Sequence, residues 1–421
     1  MKIVLLTRFE KGDGAANCAQ RVHRGLLRLG HDSRIFVAER KSNEVDPTIT
    51  VFRPPQDLPS KLKRRWRDFQ IQWSAAPYRR TRPAGYEAFS DDRSRYHEEL
   101  LEQIPPCDVL HIQQMYQLVD YHTFFSEMPK RVPIVRTLHD ASFFAGGCHS
   151  PEGCSKYAEQ CGGCPQLGSK NPRDLSNQIW QRKSSVFRNI PAGRLAIVTP
   201  SHWLMEEAKR SSLLRGFPIV RIPIGINTEV FRPRDKNFAR DILSIPPDAR
   251  VVLFVAEPIT RSIKNFSPLA EALESLDVPN LLLVSAGGGK PSKEVRVPYL
   301  SLGSIQNERL LSLAYTAADV FVLPSRQESF GLSIVEAIAC GTPAVGFAVG
   351  GIPDIIRTGI TGVLVPPQDF AALRAAISGL LKNPKSADLA GSCRSVAVEE
   401  YSLDVMAKRH VQLYESMIAR H

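Results

Sequence analysis

Glu328 and Glu336 stand eight residues apart in the run Pro324-Ser325-Arg326-Gln327-Glu328-Ser329-Phe330-Gly331-Leu332-Ser333-Ile334-Val335-Glu336. The run follows the apolar stretch Val320–Leu323 and ends in Cys340-Gly341-Thr342-Pro343. The expected arrangement is a strand, a loop carrying Glu328, and a helix with Glu336 one turn inside it. A loop carboxylate could then bind one set of hydroxyls and a helical carboxylate another, on either side of a helix N-terminus that favours phosphate. The plainer alternative is one capping and one solvated glutamate.

Three glycine-rich turns bear on that choice. Ala286-Gly287-Gly288-Gly289 follows the apolar run Leu281–Ser285, and Gly350-Gly351-Ile352-Pro353 follows Ala344–Phe347. In open α/β sheets ligands bind along the carboxyl edge of the strands, where such turns lie. Arg261 and Lys264 come after Val251–Val255, where a cation could neutralise a phosphate held by backbone amides. In the first half, Glu10-Lys11-Gly12-Asp13-Gly14-Ala15-Ala16 leads from a strand into a helix. Asn17 stands where a dinucleotide fingerprint would need its third glycine, which argues against hydride transfer.

Four of the eight cysteines, Cys148, Cys154, Cys161 and Cys164, fall in the spacing C-x5-C-x6-C-x2-C, with His149 beside the first. The glycines of Cys161-Gly162-Gly163-Cys164 would let two thiolates face one ion, and four thiolates suit tetrahedral zinc. Structural zinc is the expectation; an iron–sulfur cluster, disulfides and free thiols are the alternatives.

The chain has 421 residues and a formal charge of +11, and 43% of its residues are hydrophobic, an ordinary globular balance. Most of the excess charge sits in one place. Residues 61–82 carry eight basic side chains and one acid, a net +7, interleaved with Trp66, Phe69, Ile71, Trp73 and Tyr78. Tryptophan among basic residues suits an anionic membrane surface, although Pro77 interrupts the helical face. A solvated basic loop whose aromatics pack on the domain is the competing reading. No stretch is long and apolar enough to span a bilayer. Met1–Thr7 reads as a buried strand rather than a leader, so a cytoplasmic protein, peripheral on the membrane face, is expected.

The elements that must position these groups are short apolar runs alternating with helix-length segments. In the first half the expected strands are Ile3–Leu6, Arg34–Val37, Asp108–Ile112, Ile134–Leu138 and Ala196–Thr199. In the second they are Val251–Val255, Leu281–Ser285, Val320–Leu323, Ala344–Phe347 and Gly362–Val365. Runs without polar alternation fit parallel strands covered on both faces, so two doubly wound α/β domains are predicted. The expected division is 1–221, 222–400 and a helix over 401–421 packing towards the first domain, with Leu403, Met406, Ala407, Val411, Leu413, Tyr414 and Ile418 at helical spacing.

The run Pro324–Glu336 with Ala337–Pro343 and Gly350-Gly351-Ile352-Pro353 strongly resembles glycosyltransferase family 4. Gly12–Ala16, Thr199-Pro200-Ser201, Ile222–Asn227 and the terminal helix extend the resemblance along the chain. Thr137-Leu138-His139-Asp140 and the cysteines look most like the colanic-acid-type transferases of bacterial exopolysaccharide synthesis.

The resemblance implies a GT-B fold of two Rossmann-like domains facing a cleft, and retaining transfer from a nucleoside diphosphate sugar to a glycan or lipid-diphosphate-linked acceptor. It implies that Glu328 contacts the donor sugar, Glu336 the ribose, and the amides of Phe330, Gly331 and Leu332 the diphosphate. Gly287 would belong to the nucleotide site. Lys264 matches the family's phosphate lysine, and Arg261 stands for its partner arginine, whose nearest equivalent position is occupied by Glu257. His139 would face the donor sugar, and Gly14 marks a turn beneath donor or acceptor. No catalytic metal is expected. The alternatives are a sugar-nucleotide epimerase of the same fold and a basic, metal-knuckle nucleic-acid-binding protein; no nucleic-acid-binding module is recognisable, so nucleic acid is not expected as a partner.

Overall fold

The computed structural model describes residues 1–12, 14–40, 46–382 and 387–420. Asp13, in the first glycine turn, therefore lies outside the described residues. The chain divides into two compact units. The first comprises Met1–Ile222 together with Met406–His421, and the second Pro223–Val405.

The first unit is built on β1 (Lys2–Phe9), β2 (Asp32–Glu39), β3 (Ile49–Val51), β4 (Val109–Ile112), β5 (Ile134–Thr137), β6 (Leu195–Thr199) and β7 (Ile219–Arg221). They form one seven-stranded sheet in the order β3-β2-β1-β4-β5-β6-β7. Every pairing is parallel. The second unit holds β8 (Arg250–Val255), β9 (Leu281–Ala286), β10 (Tyr299–Ser301), β11 (Val320–Leu323), β12 (Ala344–Phe347) and β13 (Gly362–Val365). Its six strands are also all parallel, in the order β10-β9-β8-β11-β12-β13. In each sheet the chain winds outward from one strand, returns, and winds outward on the other side, which is the doubly wound Rossmann order.

Strands buried on both faces explain why the apolar runs were legible. Val109–Ile112, Ile134–Thr137, Leu195–Thr199, Val320–Leu323 and Ala344–Phe347 are buried at every position. The three strands outside the sequence expectation are β3, β7 and β10, each of three residues and each at a sheet edge. An edge strand is half covered and needs no apolar run.

The last helix, Leu403–Ile418, places its residues from Met406 onward in the first unit. Its buried face is Leu403, Met406, Ala407, His410, Tyr414 and Met417. That differs from the face read from apolar residues alone: Val411 and Leu413 are half-buried and Ile418 is exposed. His410 takes a core position because the 3.6-residue period, not residue type, sets the stripe.

Residues 58–75 also differ from expectation. They form one helix, Leu58–Ala75, capped by Asp57, whose carboxylate accepts the Ser60 N–H at 2.9 Å. Pro77 does not interrupt it but falls in the 3-10 turn Ala76–Tyr78 that follows. Tyr78 packs on the small core of Cys164, Leu167, Leu175 and Ile179.

Candidate functional site

In the second sheet the strand order reverses between β8 and β11. In open α/β sheets ligands bind outside the carboxyl ends of the strands at such a switch point. The loop after β8 carries Arg261 and Lys264; the loop after β11 carries Glu328.

Two bonds tie these loops together. Asn265, in the left-handed region at φ 58°, donates from Nδ2 to the Pro324 carbonyl at 2.9 Å. The Arg326 N–H donates to the Ile263 carbonyl at 2.9 Å. Lys264 and Glu328 are thereby brought side by side, and the Lys264 ammonium pairs with the Glu328 carboxylate. Both side chains keep some exposure, 18% and 16%, so the pair is sheltered but reachable. Arg261 opens the same turn and is exposed.

Glu328 is also fixed from behind. Gly350 is at φ +55°, and a Cβ there would lie 1.9 Å from the Glu328 carbonyl oxygen. Only glycine lets the two backbones approach so closely. The Gly351 N–H donates to that same oxygen at 2.8 Å.

Gly331, at φ +101°, opens the helix Leu332–Ala339. The first amides of a helix have no carbonyl in their own helix, so this end presents donors and positive potential. Phe330 turns its ring into the core against Tyr401, with centroids 6.0 Å apart, leaving its backbone as the part able to meet a ligand. Glu336 is the helix's fifth residue, as its spacing suggested. It is 6% exposed, and the Tyr315 hydroxyl donates to its Oε2 at 2.9 Å. A carboxylate so deeply placed needs such a donor.

The turn after β9 is shaped by the same kind of close approach. A Cβ on Gly287, φ +142°, would lie 1.7 Å from the Ala256 carbonyl oxygen. Glu257, which stands where the resemblance places an arginine, uses its carboxylate to accept the Gly288 N–H at 3.1 and 3.2 Å and the Ser304 hydroxyl at 2.8 Å. It braces the glycine turn.

In the first unit His139 follows β5 and is half-buried. Its Nε2–H donates to Gln113 Oε1 at 2.9 Å, and Gln113 Nε2 donates to His111 Nε2 at 2.9 Å. The Nδ1–H of His111 donates to the Tyr414 hydroxyl oxygen at 2.6 Å. Burial holds His111 well below the ordinary imidazole range, so it is neutral and can accept as well as donate. A chain of side chains thus runs from the terminal helix to the tip of β5. Asp140, next to His139, points elsewhere: it pairs with His149 Nδ1 at 2.9 Å. Burial pushes its carboxyl up, but His149 and Ser142 outweigh that and hold it below the usual range. Gly14 starts the helix Gly14–Arg28, and a Cβ on it would meet nothing within 4 Å. That turn is open rather than tightly packed.

Cys148, Cys154, Cys161 and Cys164 lie within one another's electrostatic reach, and all are free thiols. Burial pushes Cys148 and Cys164 upward and Cys161 to about 11. The Gly146 N–H donates to Cys161 Sγ at 3.2 Å. Among the described residues, no three His, Cys, Asp or Glu side chains are arranged as a group that could hold a metal ion. The cysteines are gathered, but the expected cage is not assembled.

Residues 235–392 match the family model described as "Glycosyl transferases group 1". That segment lies within the second unit and contains Lys264, Glu328 and Glu336. The chain is 34% identical over 216 residues to a D-inositol 3-phosphate glycosyltransferase of Mycobacterium marinum, a match covering 47% of this chain and 44% of that protein. The matched part is thus less than half of the relative's length.

Among solved structures, the sucrose-phosphate synthase of Thermosynechococcus elongatus superposes with a TM-score of 0.69 at 20% identity, covering 100% of both chains. Anabaena HepE in complex with UDP-glucose gives 0.66 at 16% identity, covering 99% of this chain and 100% of that one. The fold is the two-Rossmann GT-B fold of these glycosyltransferases.

Tyr315, Gln113, His111 and Tyr414 were not read from the sequence as site residues. Only Gln113 left a signal, as a polar residue directly after the apolar run of β4. The partners of Glu336 and His111 lie 21 and 303 positions away along the chain.

Proposed function

We propose that this protein is a retaining glycosyltransferase that moves a sugar from a nucleoside diphosphate sugar to a glycan or lipid-diphosphate-linked acceptor, in bacterial exopolysaccharide or other cell-surface polysaccharide synthesis. The observation that carries the reading is the Lys264–Glu328 ion pair at the switch point of the second sheet, with Glu336 one turn inside the adjoining helix. The family match over this segment and the UDP-glucose bound by HepE support a sugar-nucleotide donor.

In this mechanism the bond from the anomeric carbon to the diphosphate breaks, and a bond from the acceptor oxygen to that carbon forms on the same face. The acceptor's proton passes to the departing diphosphate. Charge grows on that diphosphate, so the main requirement is electrostatic. Lys264, Arg261 and the amides at Gly331 and Leu332 meet it, so no divalent cation is needed for the step. Glu328 orients the sugar through its hydroxyls, and Glu336, fixed by Tyr315, takes the ribose. His139 is assigned to the sugar hydroxyls, positioned by Gln113. The proposed location is the cytoplasm. No described helix is long and apolar enough to cross a membrane.

Turnover of Lys264→Ala, Glu328→Ala and His139→Ala, each shown to be folded, tests the assignment. Removing a charge-stabilising donor costs roughly 100- to 1,000-fold in turnover. If all three variants retain near-wild-type rates with the best donor, the site is wrong. Turnover that does not depend on added divalent cation is expected, and an inverted anomeric configuration in the product would exclude retention.

For the cysteines the proposal is structural zinc, supported by their spacing and clustering; binding would draw the four sulfurs together and lower their pKa values. Protein purified without a histidine tag should carry about one zinc per chain. Less than a tenth of that overturns the proposal.

A further inference from the structure

The helix Leu58–Ala75 has no buried residue along its 18 positions. Its large apolar side chains nevertheless lie on one line. Leu58, Leu62, Trp66, Phe69 and Trp73 are 69%, 55%, 61%, 52% and 69% exposed. At 100° per residue these five positions fall within an arc of about 80° and extend over roughly 22 Å of helix. Their rings continue the stripe: Trp66 stacks on Phe69 and Phe69 lies against Trp73, each pair at 5.7 Å between centroids. Single exposed apolar residues are ordinary, but a contiguous ribbon of them marks a contact surface.

The charges around the ribbon say what it contacts. Lys61 and Arg65 border it on one side and Lys63 on the other, and all three are exposed. Arg79 and Arg80, just beyond the helix, are exposed too. The opposite face holds the helix to its unit: Arg67 pairs with Glu99 at 3.6 Å, and Arg93 donates to the Ser74 hydroxyl oxygen at 2.7 Å. At the far end the Leu175 N–H donates to the Tyr78 hydroxyl at 3.2 Å. A hollow of about 250 Å³ beside the helix is lined by Gln56, Lys61, Arg64, Arg65, Asp68 and Arg95. Four cations against one carboxylate give it the character of a phosphate cradle.

We propose that this helix lies in the plane of an anionic lipid bilayer, with the Leu58–Trp73 ribbon at the acyl boundary and Lys61, Lys63, Arg65, Arg79 and Arg80 among the headgroup phosphates. An apolar arc flanked on both sides by cations, with tryptophan near its middle and end, is the pattern of an interfacial helix. The opposite face is engaged by its own unit, so the helix presents the ribbon without having to fold on contact. The inference concerns where the protein sits, and its test reads binding rather than turnover, so it stands or falls apart from the transfer reaction.

The test is flotation of the full chain with vesicles of phosphatidylcholine alone and with about 30% phosphatidylglycerol, a charged fraction chosen to give a strong surface potential. The chain should float with the anionic vesicles and stay behind with the neutral ones. The variant Lys61→Gln/Lys63→Gln/Arg65→Gln should lose roughly 100-fold in partitioning, at about fivefold for each near-surface charge. Trp66→Ser/Phe69→Ser/Trp73→Ser should abolish flotation without lowering the melting temperature, because these side chains are exposed. The proposal is overturned if the chain ignores anionic vesicles or if either triple variant floats like the wild type. It is equally overturned if light scattering shows a dimer that the aromatic variant converts to monomer, which would mean that a second copy covers the ribbon.

Discussion

Tyr414→Phe removes one oxygen from the core of the first unit and leaves the ring in place. That oxygen accepts the His111 Nδ1–H at 2.6 Å, and both residues are fully buried. Without it a buried imidazole donor has no partner on that side, at a cost of about 1–3 kcal/mol. The ring contact with His111, 5.8 Å between centroids, survives the change, so little packing is lost. For a unit of this size 1 kcal/mol corresponds to roughly 2–4 °C in melting temperature, giving an expected drop of about 2–12 °C. Scanning calorimetry should show the loss in the transition that includes the terminal helix. Turnover supplies the second readout. Gln113→Leu, which deletes the group touching His139, should lower kcat more than Tyr414→Phe, which acts two residues further along the chain of contacts. An unchanged melting temperature for Tyr414→Phe, or a larger kcat loss than for Gln113→Leu, would refute the idea that these residues form one positioning relay.

Three further outcomes are expected. Tyr315→Phe should weaken binding of UDP, read by calorimetry, by about tenfold, since hydrogen bonds to charged groups are worth about 1.5–3 kcal/mol and part of that loss falls on the folded protein itself. Gly350→Ala should destabilise the second unit by at least about 2 kcal/mol, measured by denaturant unfolding, because the left-handed φ alone costs an alanine about 1–2 kcal/mol and the Cβ would also strike the Glu328 carbonyl. Acid should weaken the first unit. Burial lowers His23 and His410 from 6.5 to about 4, so the unfolded chain takes up protons that the folded chain refuses. Stability is therefore full above about pH 6.5 and falls as pH drops towards about 4, by at most roughly 3 kcal/mol per histidine. A flat unfolding free energy between pH 7 and pH 4.5 would contradict those assignments.

The central strands were legible because each is an apolar run with no polar alternation, and parallel strands covered on both faces demand that. The three edge strands were not, since β3, β7 and β10 are too short and too open to need an apolar signature. Glu328 and Glu336 were placed correctly on loop and helix by spacing. Their partners divide by distance: Lys264 stood out as a cation after a strand, whereas Tyr315 looked like any core tyrosine. The basic segment was half read. Its charge and aromatics were plain, but starting the pattern at Lys61 hid Leu58, and including Ile71 and Tyr78 blurred a stripe that is regular once the Asp57 cap fixes where the helix begins. His410 escaped because a polar residue in a core stripe goes against residue type and is revealed only by the helical period.

The path of the backbone makes the second unit a continuous insertion, Pro223–Val405, within a first unit assembled from the segments on either side of it. The two halves therefore differ as objects for dissection. A fragment over 223–405 carries its whole sheet, Lys264, Glu328 and Glu336, and can be excised with two cuts. A fragment ending at Ile222 would keep all seven strands of its sheet yet expose the underside of His111, because Met406, His410 and Tyr414 belong to a segment made after the second unit. The first unit's core is completed only after the second has been synthesised, and a ribosome-bound chain stopped before Met406 holds that site open.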